Sequence, residues 1–261
     1  MLIVSISIFL AFSIMVIISL WRLHREAVRR QQAEQVKNEF ISMINHELRT
    51  PLTAVRGGLG LIANGVTDNM EGKTTELAKL ALKNADHLGQ LVDDFLDVQK
   101  LSVGKLEFQK EKTSLRTLVE HVLENYKSYA DKFGASYQLM PNSEDGEILA
   151  DPHRIEQVLA NLLSNAAKYG REHDEIEVLI KRHDNRIRIS VTDHGKGIPE
   201  AFQSRLFQAF EQSSNEREHI VRGTGLGLYI AKAIVQEHDG EIGFETIKDR
   251  GTCFWFELPL A

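Results

Sequence analysis

The clearest candidate nucleophile in this sequence is a histidine next to a carboxylate, His46-Glu47, within F-I-S-M-I-N-H-E-L-R-T-P-L. Apolar residues recur along this segment at spacings of three and four, which predicts a helix with one buried face. His46 lies about 200° around the helix from Ile44 of that face, so we expect it to meet an external substrate. Glu47 can hold or accept an imidazole proton, which leaves the other ring nitrogen free to attack.

A second group of residues could bind phosphate and a metal ion. Asn161 and Asn165 are four residues apart on a helix predicted to begin at Asp151-Pro152, and they therefore share one face. Two amide oxygens beside Lys168 suit a hydrated Mg²⁺ that also binds phosphates. Solvated asparagines on a surface helix have the same pattern, so the pair does not decide the matter alone.

Two glycine-rich segments complete the set of candidates. The first, D-H-G-K-G at Asp193–Gly197, follows a predicted strand, and Asp193 could accept a hydrogen bond from an exocyclic amine such as that of adenine. The second, G-T-G-L-G-L at Gly223–Leu228, opens a predicted helix whose N-terminal amides could bind an anion. It lacks the Lys-Ser/Thr of a P-loop and the acidic residue of a dinucleotide site. The polar segment Gln212–Arg222 before it is predicted to be a mobile lid, with a plain exposed loop as the alternative.

The N-terminus predicts a membrane anchor. Leu2–Leu20 carries no charge and spans about 28 Å as a helix, and Trp21 and a cluster of arginines follow it. In a cleaved signal peptide, the alternative interpretation, the positive charge precedes the apolar run. We therefore predict a transmembrane helix (residues 1–21) in the cell inner membrane, single-pass, with a helical linker (22–38) and the catalytic domains in the cytoplasm.

Two amphipathic helices must position His46. One is predicted from Trp21 to about Ala63, with Gly57, Gly58 and Gly60 interrupting its far end, and the other over Lys73–Leu101. Because one hairpin cannot bury both apolar stripes, we expect two hairpins to pair into a four-helix bundle. Residues 39–103 are therefore predicted to form a homodimer.

The remainder, residues 104–261, predicts an α/β sandwich in which helices cover one face of a mixed sheet. The predicted helices are Leu115–Phe133 with Ser114 as its cap, the helix opened by Asp151-Pro152, and Gly225–His238. The predicted strands are Lys105–Phe108, Ser136–Leu139, Glu147–Leu149, Ile176–Arg182, Arg186–Thr192, Glu241–Thr246 and Thr252–Leu258.

Composition excludes two classes of protein. The net charge of −6 and the lack of a Lys/Arg cluster on the predicted domains argue against nucleic acid as a partner. A single cysteine, Cys253, excludes an intrachain disulfide framework and fits a reducing compartment.

Taken together and in this order, the motifs resemble those of the sensor histidine kinases of two-component signalling. His46-Glu47 with Arg49–Leu52 matches the phosphoacceptor box, and Asn161–Tyr169 matches the N box. Asp193–Gly197, Leu206–Phe210 and Gly223–Leu228 match the first glycine, phenylalanine and second glycine boxes. The resemblance covers about Arg30–Leu260. It implies a dimerisation and histidine-phosphotransfer domain followed by an ATP-binding domain of the Bergerat (GHKL) type.

The resemblance also implies the activity and the site. ATP would phosphorylate His46, and the phosphoryl group would pass to an aspartate of a separate cognate response regulator. Glu47 would act as general base, Thr50 would serve a phosphatase activity toward that regulator, and Asn165 would bind Mg²⁺. The nucleotide would be bound by Asn161, Asn165, Lys168, Tyr169, Asp193, Gly195, Gly197, Ile198, Phe210, Gly223, Thr224, Gly225, Leu226, Gly227, Leu228 and Thr252.

Three other functions are weighed against this one. A silent ATP-binding scaffold or pseudokinase conflicts with the presence of His46, Asn165 and Asp193 together. An ATPase or chaperone of the same nucleotide fold leaves the H-E-x-x-T-P segment unexplained. A zinc peptidase would need a second histidine where Thr50 stands. The short distance between the apolar segment and His46 departs from the family pattern. Either the membrane helix or a partner would do the sensing, or the chain is a fragment of a longer protein.

Overall fold

The computed structural model describes residues 21, 25, 47–63, 73–102, 104–209, 211 and 225–261. The predicted membrane helix, His46, Phe210 and the predicted lid lie outside these residues, apart from Trp21 at the helix's end. No helix in the described ranges is long and apolar enough to cross a membrane. The chain divides into two compact units, Met1–Gly89 and Gln90–Ala261.

The first unit contains helix α1 (residues 47–63) and the beginning of α2 (Lys73–Ser102). The prediction that glycines interrupt α1 is wrong, because the helix continues through all three of them. Gly58 is buried, and a Cβ atom there would stand 3.4 Å from the carbonyl oxygen of Leu77 and 3.6 Å from Cβ of Ala81. A small residue at this point allows close contact with α2, which offsets the cost of about 1 kcal/mol that glycine brings to a helix.

Both helices of this unit leave large apolar side chains exposed. About half of the surface of Leu52 and Leu59 on α1, and of Leu80 on α2, is accessible to solvent, and for Leu82 the fraction is 63%. Within the described residues, Leu52, Leu59 and Leu80 of the predicted apolar stripes therefore remain exposed.

The second unit has the predicted α/β architecture. Its helices are α3 (Leu115–Asp131), α4 (Pro152–Tyr169), the short α5 (Glu200–Gln203) and α6 (Gly227–Glu237). Its strands are β1 (Glu111–Ser114), β2 (Ser136–Leu139), β3 (Glu147–Ala150), β4 (Glu175–His183), β5 (Arg186–Asp193), β6 (Glu241–Ile247) and β7 (Gly251–Pro259).

Five strands form one mixed sheet in the order β2-β4-β5-β7-β6, parallel at β2–β4 and antiparallel elsewhere. Side chains alternate along the central strands: Ile187, Ile189 and Val191 of β5 are fully buried, whereas the residues between them are half-buried. This alternation shows that the helices cover one face of the sheet. The predicted sandwich is confirmed.

The predicted strand Lys105–Phe108 is wrong. The strand lies instead at Glu111–Ser114, where β1 pairs antiparallel with β3 in a separate two-stranded sheet. Residues 105–108 have no ladder partner among the described residues. The aromatic ring of Phe108 packs edge-on against His238, at 5.2 Å between ring centroids, so its apolar character serves packing.

Candidate functional site

Helix α4 places the two asparagines. Asp151 caps its N-terminus by accepting a hydrogen bond from the backbone N–H of Arg154 (3.2 Å), and Pro152 occupies the first turn, as predicted. The apolar side of the helix is buried in the core through Ile155, Val158, Leu159, Leu162, Leu163, Ala166 and Ala167. Asn161 and Asn165 are half-buried, which leaves their amides accessible beside the core.

The N-terminus of α6 lies against the first of these amides. A Cβ atom at Gly227, the first residue of α6, would stand 2.5 Å from Oδ1 of Asn161, so only glycine fits there. Gly225 adopts a positive φ of 69° just before the helix. Among residues 225–261 no side chain caps α6, and its first turn carries no acidic residue. The positive end of the helix dipole is therefore directed to a place where an anion could bind. Leu226 is buried and Leu228 half-buried here, whereas Gly223 and Thr224 lie outside the described residues.

Asp193 ends β5 and is only 4% exposed. Its Oδ1 accepts hydrogen bonds from the backbone N–H of Gly195 (2.9 Å) and of Thr252 (3.3 Å). Both bonds fall on Oδ1, and no hydrogen bond to Oδ2 is found among the described residues, so Oδ2 could accept one from a ligand. Burial raises the pKa of this carboxyl group, and the two backbone N–H donors oppose the shift.

The turn after Asp193 is held by close backbone approaches. A Cβ atom on Gly195 would overlap the carbonyl oxygen of Tyr169 at the end of α4, and one on Gly251 would overlap that of Asp193. Gly197 has a positive φ of 72° and lies against the backbone of Ile247 at the end of β6. The first glycine segment is thus fitted between α4 and the β6–β7 hairpin.

Thr246 is a structural residue of this region that sequence reasoning missed. Its hydroxyl oxygen accepts a hydrogen bond from the backbone N–H of Ile198 (2.9 Å) and donates to the carbonyl of Gly251 (3.1 Å). It also lies 3.0 Å from Oγ1 of Thr252. No local motif marks this threonine, because the three groups that it joins come from two distant segments.

Lys168 and Tyr169 occupy the last turn of α4. Burial lowers the pKa of the Lys168 amine, and the negative charge of Asp94 opposes this shift. A cation with little water around it would bind an anionic ligand strongly. The Tyr169 side chain is 45% exposed, and its backbone contacts the glycine turn.

The phenylalanine segment packs beside α6 and the sheet. Leu206 is buried, and the ring of Phe207 lies 6.1 Å from that of Phe244 on β6. Nζ of Lys232 on α6 lies 5.8 Å from the centre of the Phe207 ring. These contacts bring the segment next to the helix whose N-terminus could bind an anion.

The candidate phosphoacceptor residues belong to the other unit. Glu47 is half-buried and Thr50 exposed, both in the first turn of the described part of α1. Within the described residues, no group of three or more His, Cys, Asp or Glu side chains could hold a metal ion.

Comparison with known proteins identifies the family. Residues 36–104 match the family model for the His Kinase A (phospho-acceptor) domain. Residues 150–261 match that for the histidine kinase-, DNA gyrase B-, and HSP90-like ATPase. The chain belongs to the histidine kinases. As a histidine kinase it carries both domains in the order that its motifs predict, and the recognition made from the sequence is confirmed.

Individual relatives agree with this assignment. The signal transduction histidine-protein kinase BarA of Escherichia coli (strain K12) is 33% identical over 239 residues, which cover 89% of this chain. The structure of full-length ShkA in complex with AMPPNP matches 85% of this chain and 46% of that one, at a TM-score of 0.64 and 29% identity. The structure of the histidine kinase ThkA in complex with the response regulator TrrA matches 91% of this chain and 66% of that one, at a TM-score of 0.64 and 25% identity.

The chain spans only part of its curated relatives. It covers 26% of the length of BarA and 38% of that of the sensor histidine kinase WalK of Bacillus subtilis (strain 168). The similarity therefore concerns the kinase portion that these proteins share with this chain.

Proposed function

We propose that this histidine kinase transfers the γ-phosphoryl group of ATP to His46 and then to an aspartate of a separate response regulator. The observation that carries the proposal is the buried Asp193, whose Oδ1 is held by two backbone N–H groups while Oδ2 is left for the exocyclic amine of adenine. The two family models that together span most of the chain, and the AMPPNP complex of ShkA, support ATP as the ligand.

Different residues of the pocket would bind the adenine, the phosphates and the metal ion of the nucleotide. Asp193 and the glycine turn would hold adenine, whereas the N-terminus of α6, with the half-buried Lys168, would hold the phosphates. Asn165, with Asn161 beside it, would hold Mg²⁺, because neutral amide oxygens fit an ion that keeps several waters and binds phosphate oxygens. The ion would supply charge neutralisation at the phosphates.

His46 would act as the nucleophile. An unprotonated ring nitrogen donates its electron pair to the γ-phosphorus, the bond to the β–γ bridging oxygen breaks, and ADP leaves with that electron pair. Glu47 would take the proton that the other ring nitrogen releases. Transfer to the regulator repeats the exchange, with an aspartate oxygen as nucleophile, and the ThkA–TrrA complex supports such a partner.

A homodimer would cover the exposed leucines. The apolar side chains on α1 and α2 are arranged along helical stripes, and pairing with a second copy in a four-helix bundle would remove them from water. The match to the phospho-acceptor domain supports this assembly. The Leu80→Lys and Leu59→Lys variants should sediment as monomers. Lys83→Glu, which replaces an exposed residue on the same helix as Leu80, should sediment like the wild type.

The kinase reaction is tested with γ-labelled ATP and Mg²⁺, followed by acid and alkali treatment of the labelled chain. We expect label that resists alkali and is lost in acid, which marks a phosphoramidate. His46→Gln should abolish the label while ADP still binds, and His87→Gln, an exposed histidine on α2, should change neither. Label on the His46→Gln variant would refute His46 as acceptor, and ATP binding without any label would favour the scaffold function.

Two further properties belong to this proposal. Thr50 would orient water for dephosphorylation of the regulator, so Thr50→Ala should keep autophosphorylation and lose phosphatase activity; equal loss of both would contradict this division.

Residues 2–20 would anchor the chain in the inner membrane with the kinase domains in the cytoplasm. Membranes washed with alkaline carbonate should retain the full chain and release a chain that begins at Arg30.

A further inference from the structure

Asp174 is a buried carboxylate that the proposed reaction does not use. It stands just before β4, its side chain is fully buried, and it contacts His194, the residue after Asp193. Oδ2 accepts a hydrogen bond from the backbone N–H of His194 (2.8 Å), and Oδ1 lies 2.8 Å from Nδ1 of the same residue. One side chain thus holds both the backbone and the ring of His194.

This carboxylate also lies against the end of α4. A Cβ atom at Gly170, the C-cap of α4, would stand 2.6 Å from Oδ2 of Asp174. The backbone N–H of Ser136 on β2 donates to the carbonyl of Asp174 (2.9 Å), which fixes the residue from a third side. Arg171, 66% exposed, approaches Oδ1 only to 3.7 Å. Asp174 therefore connects the helix of the asparagines to the turn that carries Asp193.

The position of the Asp193 carboxylate depends on that turn. Its Oδ1 is bonded to the N–H of Gly195, on the far side of His194, so a shift of His194 moves both the carboxylate and one of its donors. A carboxylate that reads an amine must be held to a fraction of an ångström, because hydrogen bonds weaken steeply with angle and distance.

We propose that Asp174 and His194 are positioning residues that set the adenine selectivity of the nucleotide pocket, by holding the turn in the place where Asp193 can accept a hydrogen bond from the adenine amine. The inference rests on the proposed function of Asp193. It assigns a specific role to a buried carboxylate and to the half-buried histidine that it holds, beside the residue proposed to bind the base.

The test compares the affinity of the 261-residue chain for ADP and for IDP, whose base lacks the exocyclic amine, by titration calorimetry with Mg²⁺. Wild type should bind ADP at least about tenfold more tightly than IDP, because IDP leaves a buried acceptor without a donor. Asp174→Ala should reduce that ratio to within about threefold, chiefly through weaker ADP binding. His194→Ala, which removes the ring and keeps the backbone bond, should give an intermediate ratio.

Two variants serve as controls. Asp174→Asn should keep the wild-type ratio, because its amide oxygen can accept from the backbone N–H while its NH₂ group donates to Nδ1 of the other neutral tautomer. Arg171→Ala should also keep it, since that side chain is 66% exposed and its Nε lies 3.7 Å from Oδ1 of Asp174, beyond hydrogen-bond distance. Thermal unfolding without nucleotide identifies any variant that fails to fold. If Asp174→Ala fails to fold, the ratio of ADP to IDP affinity measured for His194→Ala tests the inference instead.

Equal weakening of ADP and IDP by Asp174→Ala or His194→Ala would overturn the inference and leave the pair as a stabilising contact only. A ratio for Asp174→Asn as low as for Asp174→Ala would overturn it as well. Asp193→Asn distinguishes failure of the proposed function from failure of the inference alone. If this variant keeps the wild-type preference for ADP over IDP, or if wild type does not bind ADP, the proposed function fails together with the inference. Loss of preference in Asp193→Asn, with no change in Asp174→Ala, rejects the inference alone.

Discussion

His238 joins two helices of the ATP-binding domain through both of its ring nitrogens. It is 2% exposed at the end of α6. Nε2 accepts a hydrogen bond from the backbone N–H of Asp151 at the start of α4 (3.0 Å), and Nδ1 lies 2.7 Å from the carbonyl oxygen of Ile234. One nitrogen must accept and the other donate, so this geometry requires the neutral ring.

Replacing His238 by phenylalanine keeps an aromatic ring and removes both bonds. A buried N–H left without an acceptor costs about 1–3 kcal/mol, and the lost bond to the carbonyl adds about 0.5–1.5 kcal/mol. We therefore expect His238→Phe to lower the free energy of unfolding by about 3 kcal/mol. For a domain of this size that corresponds to a decrease of about 6–12 °C in Tm.

The same contacts make the stability depend on pH. Burial lowers the pKa of His238, so between that pKa and the ordinary value of about 6.5 the unfolded chain binds a proton that the folded chain does not. The contribution of the neutral His238 ring to the free energy of unfolding is complete above pH 6.5. It is lost as the pH falls below that value, by at most about 1.4 kcal/mol per pH unit. The difference in Tm between wild type and His238→Phe should therefore narrow between pH 7.5 and pH 5.5.

Calorimetric unfolding of both chains at the two pH values measures the effect. His183→Phe, a change at an exposed histidine at the end of β4, controls for the removal of an imidazole. A difference in Tm that is the same at both pH values, or wider at pH 5.5, would refute the assignment of the neutral ring. A decrease of less than about 2 °C at pH 7.5 would refute the role of the two hydrogen bonds.

Other substitutions test the pocket and its support. Gly195→Ala should weaken ADP binding at least about tenfold in calorimetry, because the methyl group overlaps the carbonyl oxygen of Tyr169 at the end of α4. Its control is Gly89→Ala, which has open space around its Cβ. This change should leave ADP binding unchanged and raise the free energy of unfolding by up to about 1 kcal/mol. Thr246→Val should lower the free energy of unfolding by about 1–3 kcal/mol and weaken ADP binding, and intact binding would show that the glycine turn holds without this hydroxyl. Asp97→Ala should lower the free energy of unfolding by about 1–3 kcal/mol in denaturant unfolding, since it removes the carboxylate that accepts from the Arg154 guanidinium at 2.6 Å. An unchanged midpoint would show that this ion pair adds nothing.

Much of the fold could be predicted from the sequence, because its signals are local. A few neighbouring residues specify each of three elements. These signals are the Asp151-Pro152 cap of α4, the alternation of apolar and polar residues along Arg186–Thr192, and the glycines at the start of α6. The motifs that resemble histidine kinases also keep their order along the chain, so the family could be recognised without a structure. The predictions failed where a partner from elsewhere decides the outcome. The apolar pattern of 105–108 suits a strand, but β3 pairs with 111–114 instead.

The glycines of α1 show the same limit. Helix propensity predicts an interruption at Gly57–Gly60, yet the helix continues, because the approach of α2 at Gly58 makes a small residue favourable there. Propensity is a property of one segment, whereas the packing of two helices is a property of both.

The sequence by itself determined which residues could do the chemistry: His46 beside Glu47, the asparagines at helical spacing, and the carboxylate before a glycine turn. Only the tertiary structure decided what holds them, since Asp174, Thr246 and His238 belong to no motif and act through residues that are distant along the chain. Side-chain type sets the reactivity that a group can have. Its environment, built from several strands and helices at once, sets the position and the charge state in which the group is used.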